Sequence, residues 1–120
     1  MVMKGKIYIR TGGGNDTVLL NDSELDLGSV LIDTGIGNDT VLVDTAVQGM
    51  TSDYATPVKI SLGAGDDFLQ LGNEVLNGNN GEYLKAVTLN GGAGNDELSY
   101  FSGGNTFTIA PKITLFESIH

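Results

Sequence analysis

The 120-residue chain has no cysteine, no tryptophan, two prolines, one histidine, and only six lysines and arginines against fifteen aspartates and glutamates. Without cysteine there is no disulfide framework and no thiolate metal site, which suits a cytosol and a disulfide-free exterior equally well. His120 is the lone histidine and the last residue, so zinc and copper have few ligands and a Ser-His-Asp arrangement has no support. The formal charge of −9 repels nucleic acid and anionic membrane and leaves cations or basic partners as natural ligands. No apolar run approaches the ~20 residues of a membrane-spanning helix, and the opening MVMKGKIYIR holds no apolar stretch long enough for a cleaved secretion signal. At 40% hydrophobic residues the chain has enough apolar surface for one core, while 18 glycines argue against a helix-rich fold.

Those glycines are not scattered. TGGGND at 11–16, TGIGND at 34–39, LGAGDD at 62–67 and GGAGND at 91–96 all have glycine at the second and fourth places and aspartate at the sixth. The closing aspartates, Asp16, Asp39, Asp67 and Asp96, are 23, 28 and 29 residues apart, within the range of periods that marks a repeat array. Before each loop stand Ile7 and Ile9, Val30 and Ile32, Val58 and Ile60, Val87 and Leu89. After it stand Val18 and Leu20, Val41 and Val43, Leu69 and Leu71, Leu98 and Tyr100. Apolar residues at every second place are the pattern of a half-buried strand, so each copy reads as strand, glycine loop, strand.

Between copies, the shortest connection contains Glu24-Leu25-Asp26-Leu27, an alternating stretch that fits a third short strand. Three strands per turn, with the same apolar phase in every copy, predict an all-β chain: a right-handed parallel β-helix, or β-solenoid, of about four turns. An antiparallel sandwich or meander is the alternative, since tight glycine-containing turns also close hairpins. The expected organisation is one domain over 1–120, with 102–120 folding over the end as a cap, or else a fragment of a longer array. Lys4, Lys6, Arg10, Pro111 and Lys112 are placed to guard the open edges of the end turns.

Stacked turns would put the four aspartates in one column at the strand spacing. Carboxylates ~4.8 Å apart repel by about 1 kcal/mol in bulk water and by about 3 to 4 at the effective dielectric of a partly buried site. The fifth places hold Asn15, Asn38, Asp66 and Asn95, so an uncharged solution was within reach and was not used at the sixth. An aspartate column asks for a cation. Glycines permit positive φ, which lets carbonyl oxygens turn into the gap between turns. A flexible cage of hard oxygens suits Ca²⁺ better than the small octahedron of Mg²⁺. The competing reading makes the loops tight corners whose Asp and Asn satisfy backbone groups.

GGAGNDELS at 91–99 matches every fixed place of G-G-x-G-x-D-x-U-x, with U a large apolar residue, and TGGGNDTVL, TGIGNDTVL and LGAGDDFLQ depart only at the first. In this the chain resembles the hemolysin-type calcium-binding, or RTX, repeats. The resemblance implies calcium held between neighbouring turns by aspartate carboxylates and loop carbonyls. Carried onto this sequence, the site residues are Gly12, Gly13, Gly14, Asn15 and Asp16, then Gly35, Gly37, Asn38 and Asp39. Gly63, Gly65, Asp66 and Asp67 follow, and Gly92, Gly94, Asn95 and Asp96 complete the set, with carbonyls from residues 91–94 included. Family repeats run head to tail at nine residues, whereas these recur at 23 to 29, so one column of about three Ca²⁺ ions is expected. The broader cross-section resembles that of pectate lyases. The family implication also extends to secretion without a cleaved signal.

Other chemistry has thinner support. Arg10, Lys59 and Lys85 are the only basic residues near strands that a lyase could use, and none stands out as a base. Tyr54 and Tyr83 sit on the long connections and can stack on a sugar ring or pack locally. Thr17 and Thr40 occupy matching places, too few for an ice-binding face. Two functions follow: a calcium-binding structural or adhesive module with no enzymatic activity, or a carbohydrate-active domain that binds or cleaves polysaccharide. Polysaccharide and cell-surface components are the expected partners besides calcium; nucleic acid is not.

Overall fold

The computed structural model describes residues 2–4, 7–20, 24–27, 30–43, 51–54, 57–71, 80–83, 85–100 and 106–119. Their strands come in successive threes. The first three are β1 (Val2–Lys4), β2 (Ile7–Arg10) and β3 (Thr17–Leu20), followed by β4 (Glu24–Leu27), β5 (Val30–Asp33) and β6 (Thr40–Val43). Next are β7 (Thr51–Tyr54), β8 (Val58–Ser61) and β9 (Phe68–Leu71), then β10 (Asn80–Tyr83), β11 (Val87–Asn90) and β12 (Glu97–Ser99). The last three are β13 (Thr106–Phe107), β14 (Lys112–Thr114) and β15 (Ser118–Ile119).

Each sheet takes every third strand. The orders are β1-β4-β7-β10-β13, β2-β5-β8-β11-β14 and β3-β6-β9-β12-β15, and every pairing among the described strands is parallel. The chain is therefore all-β with parallel sheets. The expected stretch Glu24–Leu27 is a strand, and its counterparts in the later connections are β7 and β10.

The register follows from the apolar phase, because a one-residue slip would turn each strand's Val, Ile and Leu outward. In the second sheet Ile9, Ile32, Ile60, Leu89 and Ile113 are directly paired. In the third, Val18, Val41, Leu69, Leu98 and Ile119 pair in the same way. Ile32, Ile60, Leu89, Val18, Val41, Leu69 and Leu98 of these ladders form the core with Val30, Val58, Val87, Val43 and Leu71, while Ile9 and Ile113 pack partly buried against it and Ile119 is exposed. Fully burying such a side chain contributes roughly 1.5 to 3 kcal/mol each.

Two expectations change. About four turns were expected, but each sheet has five strands, because residues 106–119 add one to each. Their strands are only two or three residues long, and their corner lacks the glycine loop that makes the other copies visible. Tyr83 does not sit open on a connection. It ends β10, is 1% exposed and stacks on Phe107, with ring centroids 5.0 Å apart, while Tyr100 meets Phe107 edge-on at 5.9 Å. A ring buried to that extent has no face for a sugar. The connections 44–50 and 72–79, Lys6, His120 and the side chain of Tyr54 lie outside the described residues. Among the described residues no helix is long and apolar enough to cross a membrane.

Candidate metal centre

The four glycine loops form one corner between the second and third sheets, stacked copy on copy. Their middle residues, Gly13, Ile36, Ala64 and Ala93, are joined by parallel bridges. Ile36 N–H donates to the Gly12 carbonyl (2.9 Å), Ala64 N–H to that of Gly35 (2.8 Å) and Ala93 N–H to that of Gly63 (2.8 Å). The carbonyls of Gly12, Gly35 and Gly63 are thus engaged along the stack, each with one remaining lone pair.

Stacking alone requires the glycines. Both glycines of every copy have positive φ, from 90° at Gly35 to 142° at Gly65. A Cβ on Gly35, Gly63 or Gly92 would fall on the carbonyl oxygen of Gly12, Gly35 or Gly63 in the copy before. Gly37, Gly65 and Gly94 face Gly14, Gly37 and Gly65 in the same way. At Gly12 and Gly14 a Cβ would meet nothing among the described residues.

The fifth and sixth places make two side-chain ladders running in opposite directions. At the fifth, Asn15 Oδ1 accepts from Asn38 N–H (2.8 Å), Asn38 Oδ1 from Asp66 N–H (2.9 Å) and Asp66 Oδ1 from Asn95 N–H (3.0 Å). All four of these residues are exposed. At the sixth, the carboxylates reach back: Asp39 Oδ1 accepts from Asp16 N–H (2.8 Å), Asp67 Oδ1 from Asp39 N–H (2.7 Å) and Asp96 Oδ1 from Asp67 N–H (2.9 Å). Asp39, Asp67 and Asp96 are buried, at 1%, 2% and 1% exposure, and Asp16 at the open end is half-buried.

One oxygen of each aspartate is left over. Oδ2 of Asp16, Asp39, Asp67 and Asp96 is buried without a hydrogen-bond partner. Satisfying a backbone N–H needs only one acceptor, which an asparagine supplies, as the neighbouring ladder demonstrates. The second oxygen and the charge are therefore unexplained by corner geometry. Their cost is visible in the titration of Asp67, pushed up to about 6 chiefly by burial, with the Asp96 and Asp39 carboxylates raising it further. Asp96 is also raised, by burial first and by Glu117 next among the charges.

Glu117 was not legible as a site residue. Asp96 N–H donates to Glu117 Oε2 (2.8 Å), the contact that the carboxylates of Asp39, Asp67 and Asp96 each make to the copy before. Glu117 and Ser118 N–H both donate to the Asp96 carbonyl (3.0 and 3.1 Å), as Thr40, Phe68 and Glu97 N–H do to Asp16, Asp39 and Asp67. Glu117 is thus the fifth rung, and Asp96 has a neighbour on each side. The available signal was the apolar Ile119 two places after the carboxylate, as in the four full copies.

The first places, where three copies depart from the family consensus, face the interior. Thr34 is fully buried and its hydroxyl donates to the Leu62 carbonyl (2.8 Å), while Thr11 donates to the Thr34 carbonyl (2.9 Å). Each threonine there thus ties its copy to the next.

Comparison with protein-family models, curated proteins and solved structures finds no match for this chain. The family resemblance accordingly rests on the loop motif alone. Among the described residues no three His, Cys, Asp or Glu side chains gather on one point, so an ion between two rungs would need backbone carbonyls among its ligands. The donors at hand are all hard oxygens: four orphaned carboxylate oxygens beside carbonyls with a spare lone pair. That set fits Ca²⁺.

Proposed function

We propose that the chain is a calcium-binding structural module with the architecture of a right-handed parallel β-helix, in which cation binding is coupled to folding. Parallel sheets that each take every third strand support the architecture, and crossovers between parallel strands are right-handed almost without exception. The observation that carries the function is the column of four buried Oδ2 atoms without partners. Asp16, Asp39, Asp67 and Asp96 would hold the ions between successive copies, assisted by corner carbonyls of residues 12–14, 35–37, 63–65 and 91–94. Bound calcium supplies the positive charge that turns the column's repulsion into attraction.

Among the described residues, catalysis has nothing comparable. Arg10 is committed to Asp33 (Nε to Oδ2, 3.7 Å), Lys59 and Lys85 are exposed, and Tyr83 is packed away. The loop resemblance further suggests a location outside the cell, where calcium is abundant.

A ligand held only by the folded state adds about 2.7 kcal/mol per site at one hundred times its Kd, so three sites would rival the stability of a small domain. Chelator should therefore lower the melting temperature by more than about ten degrees, with Ca²⁺ restoring it and equimolar Mg²⁺ restoring much less. A melt unmoved by chelator, in protein shown by metal analysis to be calcium-free, refutes the proposal and leaves the loops as corners.

A further inference from the structure

The column does not stop where the glycine loops stop. We propose that, resting on the calcium reading, it extends one gap further into a terminal cation site built by Asp96 Oδ2, the Leu115 carbonyl and the Glu117 carboxylate.

Asp96 is 1% exposed and its Oδ2 is buried without a partner, although no glycine loop follows it. In the next copy the chain cuts the corner: Thr114 pairs with Asn90 and Ser118 with Glu97, so Leu115, Phe116 and Glu117 span what six residues span elsewhere. Leu115 makes this possible by taking φ of 56°, the only positive φ at a non-glycine among the described residues. This conformation turns its carbonyl back over Gly91. A Cβ at position 91 would fall on the Leu115 oxygen and lie 2.9 Å from Asp96 Oδ2. The Leu115 oxygen therefore takes the place of a side chain at 91, beside Asp96 Oδ2, an approach that glycine at 91 permits.

At the corresponding first places Thr11, Thr34 and Leu62 carry side chains. Gly91 alone carries none, and there an unpartnered buried carboxylate oxygen meets a carbonyl, with the Glu117 carboxylate held on Asp96 N–H. Two negative groups and a carbonyl dipole form a hard-oxygen set of the kind a divalent cation takes. Without the glycine loop's carbonyls this site would hold its ion less tightly than the inner gaps.

Calcium stoichiometry, measured on the intact chain by titration calorimetry and by metal analysis after equilibrium dialysis, tests this. Five rungs predict four ions in the wild type. Glu117→Gln retains an acceptor for Asp96 N–H but removes the charge, and should bind three with its circular dichroism unchanged. A wild type that binds three, or a Glu117→Gln that still binds four, overturns the terminal site while leaving the calcium proposal standing. No binding by either overturns both. If Glu117→Gln does not fold, the wild-type count of four against three still decides.

Discussion

The four glycine corners and the closing corner at Leu115–Glu117 solve the same problem by different means. The former use two glycines at positive φ in each copy and stack backbone on backbone; the latter uses a single leucine at φ 56° and a shorter path. Glycine is thus a requirement of stacking one six-residue loop on another, since the closing corner, which takes a shorter path, dispenses with it. The carboxylate behaves otherwise. It is present in all five corners, and those of Asp39, Asp67, Asp96 and Glu117 accept the same backbone N–H from the copy before, with or without glycines around them. Backbone packing and the carboxylate column are therefore separate devices sharing one corner, and substitutions should affect them separately.

The largest effect should come from a methyl group within the stack. Gly63→Ala drives a Cβ onto the Gly35 carbonyl at φ +95°, and neither backbone can yield without parting two copies. Overpacking and left-handed strain together should cost about 4 kcal/mol or more, read as loss of the folded fraction by circular dichroism. Gly12→Ala, with the same φ but open space, should cost only about 1 to 2 kcal/mol. Equal losses would mean that conformation, not stacking, selects glycine.

Next in size is the core beneath the corners. Ile32→Ala should lose roughly 2 to 5 kcal/mol in chemical denaturation, because its side chain is fully buried in the middle of its ladder. Ile113→Ala, in the short closing copy and only partly buried, should lose clearly less. If the two match, the closing copy is as integral to the core as the inner ones.

Smaller, but decisive for the column, is Asp67→Asn. The amide oxygen can still accept from Asp39 N–H, so only the charge is removed. In calcium-free protein at neutral pH the melting temperature should rise, on the order of 1 to 3 kcal/mol, and the stabilisation by added Ca²⁺ should shrink. A change of the same sign with and without calcium would break the assignment. Asp66→Asn, one residue away but exposed, should stay within about 0.5 kcal/mol in both conditions.

The smallest expected effect is that of pH on the calcium-free protein. Asp67 titrates at about 6 when folded and near its ordinary 3.8 when unfolded, so the folded state retains a proton that the unfolded state has lost. Its contribution is fully present below about pH 4 and is lost as pH rises through 6, so calcium-free melting temperature should fall across that window. Saturating calcium should reverse the slope, because ligand carboxylates must be ionised. The same slope in both conditions would detach Asp67 from the cation.

The amino-acid sequence by itself determined the strands on either side of each loop, their common phase and the column of Asp16, Asp39, Asp67 and Asp96. Alternation at period two and a repeated loop are local patterns, and stacking of equal units follows once the phase is constant. It also carried the third strand at Glu24–Leu27, because that connection is short enough for its Leu-x-Leu alternation to stand out. Only the tertiary structure decided what each loop residue is for. Which copy's carbonyl lies against which glycine, which carboxylate oxygen is spent on a neighbour's N–H and which is left buried all depend on contacts across 23 to 29 residues. Glu117 escaped the sequence for the same reason: with the corner shortened to three residues the motif disappears, and only pairing with Asp96 puts its carboxylate in the column. Tyr83 reads from its neighbours as a loop residue, and became core because β10 carries it under the stack, where ring packing outweighs local polarity.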